Sequence, residues 1–217
     1  MTVAALFVER GGAYWDLPDV DPWDQARDAR LYAGPWPVVA HPPCTRWCRL
    51  AGLVEARWGY KKGEDGGCFA AAIHAVRTYG GVLEHPAYSD AWPAFDLPRP
   101  PRRGGWVRDF SGGWSCHVEQ WFYGHPAKKA TWLYASGIRA LPSLAWGFTP
   151  DQECTAYVTD GGGGIKNPAK RPRALISWCG NHVKSGENRR RLNQKEASHT
   201  PPAFRDLLLS IARSAAK

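Results

Sequence analysis

The chain reads as an α/β fold built on a largely parallel sheet, and three observations carry that reading. Two short apolar runs, Pro37-Val38-Val39-Ala40 and Gly80-Gly81-Val82-Leu83, each stop at a polar turn that contains proline. Between them, Gly67 to Tyr79 is rich in helix formers, with Phe69, Ala72, Ile73 and Val76 spaced along one helical face. Strand, helix, strand is a crossover unit, and right-handed crossovers make parallel neighbours of the two strands.

In chain order, Val3 to Val8 supplies a first strand and Glu9-Arg10-Gly11-Gly12-Ala13-Tyr14 a turn after it. Asp16 to Trp23 holds two prolines and leaves no room for a full crossover helix before Val38. The run ending at Ala40 passes into His41-Pro42-Pro43-Cys44-Thr45, which presents the thiol of Cys44 on a loop at the sheet edge. Open α/β sheets keep their chemistry at that edge. Read more plainly, the two prolines only end the strand and Cys44 is a small buried hydrophobe. The second run delivers Glu84-His85-Pro86 to the same edge, so Cys44 and Glu84 lie side by side at the carboxyl ends of two strands. Without Cys44, Glu84 reads as a solvated loop carboxylate or a helix cap. At the far end, Thr200 caps a closing helix with Pro201 and Pro202 in its first turn. Phe204, Leu207, Leu208 and Ile211 form its apolar face.

Three blocks in this order resemble the DNA cytosine-5 methyltransferases, particularly the compact forms of phage and prophage genomes. His41 to Thr45 is similar to the family's Pro-Cys nucleophile loop, and Leu83 to Pro86 to its Glu-Asn-Pro block. Gln120 to Tyr134, with Gly124-His125-Pro126-Ala127-Lys128-Lys129, is similar to the basic block that enters a late strand. The resemblance covers roughly the middle half of the chain and implies a Rossmann-like methyltransferase sheet with an abbreviated N-terminal cofactor half and long basic loops.

The chemistry implied suits these residue types. A thiolate, from Cys44, adds to carbon 6 of cytosine and makes carbon 5 nucleophilic. Glu84, protonated if burial raises its pKa, steadies the ring nitrogen, and Lys129, with Lys128 beside it, supplies positive charge to the base carbonyl or a phosphate. The target base is flipped out of the duplex to reach the site. The resemblance implies S-adenosylmethionine as methyl donor, with Phe7, Gly11, Gly12 and Pro43 as the cofactor-binding candidates. Departures are specific. The glutamine and two arginines of the third block fall at Ala127, Lys129 and Thr131, the Asn after the glutamate is His85, and the donor turn is reduced to Gly11-Gly12. The same thiol addition therefore also fits a donor-independent or different-donor base modification, including deamination, or a DNA-binding relic that has lost catalysis.

The 217 residues fit one methyltransferase-like domain: a catalytic core over 1–140, a basic glycine-rich loop region over 141–198 and the helix over 199–217. Lys and Arg exceed Asp and Glu by eight, which favours an acidic partner, and DNA fits best. Candidate DNA contacts are Arg46, Lys128, Lys166, Arg171, Arg173, Arg189, Arg190 and Arg191. No apolar run of about eighteen residues exists, so no membrane span is expected. The start lacks a secretion signal, which points to a cytoplasmic protein, in the bacterial host if phage-encoded. The six cysteines, at 44, 48, 68, 116, 154 and 179, lack paired Cys-x-x-Cys knuckles. They are read as reduced thiols without a metal, although His41, Cys44, Cys48, Cys68, Cys116 and His117 hold zinc-ligand chemistry.

Overall fold

Val38, Val39 and Ala40 pair in parallel with Gly81, Val82 and Leu83, as the crossover pattern requires. The computed structural model describes residues 1–48, 51–148, 156–157 and 190–215. Strands β1 (Val3–Leu6), β2 (Val20–Trp23), β3 (Val38–Ala40), β4 (Gly81–Pro86), β5 (Val107–Arg108), β6 (Trp114–Glu119) and β7 (Ala130–Ser136) form a mixed seven-stranded sheet. Its order is β2-β1-β3-β4-β7-β6-β5, with the first four strands mutually parallel. The last three join antiparallel. The helices are α1 (Ala51–Trp58), α2 (Cys68–Tyr79), α3 (Ala91–Ala94), α4 (Gln194–Ser198) and α5 (Pro202–Arg213). A short parallel ladder joins β8 (Ala156–Tyr157) to β9 (Arg190–Arg191).

The period-2 alternation of the strands divides the core between two helices. Leu6, Val38, Ala40, Leu83 and Tyr134 pack with Phe69, Ile73 and Val76 of α2. Val3, Ala5, Val39, Val82 and Leu133 pack on the other face with Phe204, Leu208 and Ile211 of α5. Each fully buried side chain of this size contributes about 1.5–3 kcal/mol of transfer free energy, so both layers are needed to hold the sheet. Gly81 sits where the two central strands meet most closely. Its φ is 127°, and a Cβ there would come within 2.0 Å of the Val38 carbonyl oxygen, so only glycine admits the β3–β4 pairing.

Several expectations are refined. β1 ends at Leu6 because Phe7 takes a left-handed φ of 59°. Glu84 lies inside β4 rather than in a turn after it. The closing helix is entered through Pro201, not capped by Thr200, and no side chain caps it. Its buried stripe takes in Leu209, with Leu207 only partly buried, because the helix turns its 204–208–211 line to the sheet. Residues 7–19, between β1 and β2, form turns without a helix, as the short length and Pro18 dictate, whereas Pro22 falls inside the edge strand β2. No helix among the described residues is long and apolar enough to cross a membrane.

From β1 the chain steps outward to β2, then returns to the opposite side of β1 for β3 and β4. The order therefore reverses about β1, and the crevice at the carboxyl ends of β1 and β3 is a topological switch point, where open sheets of this class bind ligands.

Candidate active site

His41 is the first residue after β3, and extending the Ala40–Leu83 register by one sets it beside Glu84. Both fall on the face covered by α5. His41 Nδ1 and Glu84 Oε2 are 2.9 Å apart, and His41 Nε2 lies 2.8 Å from the Tyr14 hydroxyl, which arrives from the turn after β1. On the other oxygen, Gln120 Nε2 donates to Glu84 Oε1 at 3.2 Å and to Thr131 Oγ1 at 3.0 Å. The Thr131 hydroxyl in turn donates to the Lys129 carbonyl at 3.0 Å. The result is one hydrogen-bonded chain spanning the ends of β1, β3, β4, β6 and β7.

The charges give the chain a direction. Burial pushes the Glu84 carboxyl up, but its surroundings, the hydrogen bond to His41 first, more than offset it and hold the group below the ordinary carboxylate range. The expectation of a raised, protonated Glu84 is thus reversed in the free protein, because His41 was not counted as its partner. An ionised Glu84 accepts from Nδ1–H of His41. Burial, followed by the Glu84 charge, pushes the Tyr14 phenol well up, so Tyr14 keeps its proton and donates it to Nε2. The side chains of His41 and Glu84 remain 14% and 12% exposed, a narrow opening to solvent. Gln120 is fully buried, and its Oε1 has no hydrogen-bond partner among the described residues.

Cys44 stands on the loop three residues beyond His41, half-buried. Burial pushes its thiol up to about 12, with Cys48 and Glu84 adding to the rise and Lys129 pulling against it. The resting side chain is a thiol. Lys129 has a left-handed φ of 41° and donates through Nζ to the carbonyls of Ser198 and His199 at 2.9 and 2.8 Å. It therefore ties the segment between α4 and α5 to the site while its charge acts on both Cys44 and Glu84.

Cys44, on the loop after β3, and Glu84, in β4, thus belong to the same sheet edge, with the Lys129 charge acting on both. The other expected residues are placed as follows. Phe7 packs against the α2 side of the core, and Gly12 closes a tight turn by donating its N–H to the Glu9 carbonyl at 2.9 Å. Gly11 has open space around it, and Pro43 is exposed beside Cys44. The residues after β1 form turns, without a helix N-terminus directly at the strand end, and the Tyr14 ring packs 5.2 Å from that of His41. Arg46 stacks its guanidinium 4.0 Å from the Tyr60 ring centroid, and Lys128 is half-buried. Arg190 and Arg191 lie in β9, whereas Lys166, Arg171, Arg173 and Arg189 lie outside the described residues. Among the described residues no three His, Cys, Asp or Glu side chains gather to hold a metal.

His85, the residue in place of the family's Asn, lies on the opposite face of the sheet from Glu84, with the Pro43 backbone of the Cys44 loop in its surroundings. It is buried on the α2 face, edge-on to Phe69 at 5.2 Å and stacked on Trp92 at 6.3 Å. Tyr14, His41 and Gln120 are the side chains that sequence reasoning did not assign to catalysis. Adjacent register made His41 recoverable, since it follows β3 as Glu84 follows Leu83. Tyr14 and Gln120 join only through tertiary contact. No protein-family model, curated protein or solved structure matches the chain.

Proposed function

We propose that the protein modifies cytosine in DNA by covalent addition of Cys44 to carbon 6 of the ring, which makes carbon 5 nucleophilic. One observation supports this above the rest: Cys44, on the loop that leaves β3 beside the switch point, and Glu84, in the outgoing half of the parallel neighbour β4, belong to one edge of the sheet, with the charge of Lys129 acting on both. In this reading Glu84 accepts from the amino group of the base and, with His41, governs the proton at the ring nitrogen. Lys129 stabilises the charge that develops on addition and favours the thiolate. Tyr14 and Gln120 hold the pair in place as positioning residues.

The donor half has less support than the nucleophile half. S-adenosylmethionine is the simplest source of the carbon-5 substituent, yet the helix-free turn after β1 and the inward packing of Tyr14 favour a base modification that uses another donor or none. Incubation with DNA containing 5-fluorocytosine, with and without S-adenosylmethionine, separates the cases by mass spectrometry. A Cys44 adduct that carries a methyl group supports methyl transfer. An adduct without it supports thiol activation alone, and Cys44→Ser abolishes either one. Absence of any adduct on single-stranded and duplex DNA rejects the proposal in favour of a binding relic.

A further inference from the structure

The segment between β3 and α2 leaves the sheet at its carboxyl edge, beside Cys44, and carries two aromatic rings outward. Trp58 is 55% exposed and Tyr60 54%, an unfavourable display of apolar surface unless something covers it. Each ring bears a guanidinium: Arg57 lies 4.9 Å from the Trp58 centroid and Arg46 lies 4.0 Å from that of Tyr60. The segment is anchored to the nucleophile loop. Gly63 donates its N–H to the Arg46 carbonyl at 2.9 Å, and the Trp47 indole donates to Asp65 at 2.8 Å. Lys61 and Lys62 are paired with Glu64 at 3.5 Å and Asp90 at 2.8 Å. Arg46 and Arg57 form no ion pair among the described residues, and each lies over one of the two aromatic rings.

We propose that Trp58 and Tyr60, backed by Arg57 and Arg46, form a stacking platform for unpaired bases of a DNA strand that runs past Cys44. The proposal rests on the reading of Cys44 as a nucleophile toward a DNA base and names the strand state of its substrate. Each ring has a cation on one face, and stacking of a base requires only the other. The exposed guanidinium of Arg57 suits an intervening phosphate, while Arg46, with Nη1 buried, backs the Tyr60 ring from the protein side, and the chain's net charge of +8 favours such a polyanion. A paired duplex keeps its bases inside and offers these rings nothing to stack on. An unpaired strand also presents its cytosine to Cys44 without the energy of flipping it from a helix.

The test measures binding of a fluorescent 20-nucleotide single strand and of the matching duplex to the full chain at one fixed salt concentration. The single strand is expected to bind at least about tenfold more tightly, and Trp58→Ala with Tyr60→Ala to weaken it by about tenfold or more. The paired Phe substitutions, which keep the rings, retain most of the affinity. Photocrosslinking of the unaltered protein to a strand carrying 5-iodouracil gives a second measurement and should map to the peptide holding Trp58 and Tyr60. Equal or tighter duplex binding, undiminished affinity of the double Ala variant, or crosslinks confined to other peptides overturns the platform. A Cys44 adduct combined with any of these results leaves the nucleophile reading intact. Ring-dependent strand binding without an adduct upholds the platform and rejects the Cys44 chemistry.

Discussion

His41 and Glu84, on neighbouring parallel strands, meet through a 2.9 Å contact between Nδ1 and Oε2. It is the joint of the candidate site, because Tyr14 and Gln120 reach the carboxylate's surroundings from opposite sides through it or beside it. Removing the imidazole leaves a nearly buried carboxylate with its main counter-partner gone. His41→Leu is therefore expected to cost about 1–3 kcal/mol of unfolding free energy at neutral pH, as for a buried acceptor left unmet, and to raise the Glu84 pKa, since burial then dominates. Urea denaturation checks the first outcome and an NMR titration of the Glu84 carboxyl the second. A loss below about 1 kcal/mol, the range of a surface pair, shows the contact to be incidental.

The nucleophile has a separate signature. With its thiol pushed up to about 12 by burial, Cys44 in the free protein should react with iodoacetamide at pH 8 more slowly than an ordinary exposed thiol. Its rate should climb as pH rises toward 12. Lys129→Met removes the charge that opposes the rise and should slow the reaction further. Peptide mapping of alkylated Cys44 against pH measures this, and a rate that levels off near pH 8 contradicts the assigned environment. The linkage has a definite sign. An unfolded Cys44 titrates near 9.0 while the folded one stays protonated, so this residue's contribution to stability is lost as pH rises from about 9 toward 12.

Acid acts through different residues. Burial pulls His85, His117 and His125 down from 6.5 to about 4, with the Arg102 charge helping at His117 and Lys129 at His125, and Glu84 opposing at His85. The unfolded chain then binds more protons than the folded one between those values. Stability is expected to be full above pH 6.5 and to fall as pH drops toward 4, at about 1.4 kcal/mol per pH unit for each titrating histidine at most. The urea midpoint should move down between pH 7 and pH 5. His125→Phe or His117→Phe, which cannot protonate, should flatten that dependence. A midpoint that holds constant over this range refutes the buried-histidine account.

Local pattern in the sequence was enough to locate α2, β3 and β4, because the helix face at Phe69, Ala72, Ile73 and Val76 and the apolar runs at Val38 and Val82 each state their period directly. Pairing β3 with β4 in parallel, which carries Cys44 and Glu84 toward one sheet edge, needed only the crossover pattern. The protonation of Glu84 was not legible, since it depends on a residue 43 positions upstream whose ring lands opposite it only after the strands pair. Gln120 was hidden for a similar reason: its sequence neighbours are aromatic, and its partners Glu84 and Thr131 come from two other strands. Residues 7–19 show the converse, where the short length and Pro18 announced the lack of a helix but not that Tyr14 would fold back onto His41.

Tyr14 offers the finest test of the arrangement, because a single oxygen atom separates it from phenylalanine. The ring of Tyr14 is packed in the α5-side core and would stay there in Tyr14→Phe, with Leu208 and its neighbours undisturbed. What disappears is the 2.8 Å hydrogen bond to His41 Nε2, whose nitrogen then lacks its donor in a site that water reaches only narrowly. An unmet buried acceptor costs about 1–3 kcal/mol, so unfolding free energy should drop by that order while the fold persists. The sharper readout is the imidazole itself. In the intact protein, 15N NMR should show the proton on Nδ1, held there by Glu84, with Nε2 as acceptor. In Tyr14→Phe the Nε2 resonance should shift as it loses its donor. If the intact protein instead carries its proton on Nε2, then Nδ1 cannot donate to Glu84, and the direction assigned to the whole chain from Tyr14 to Glu84 is wrong.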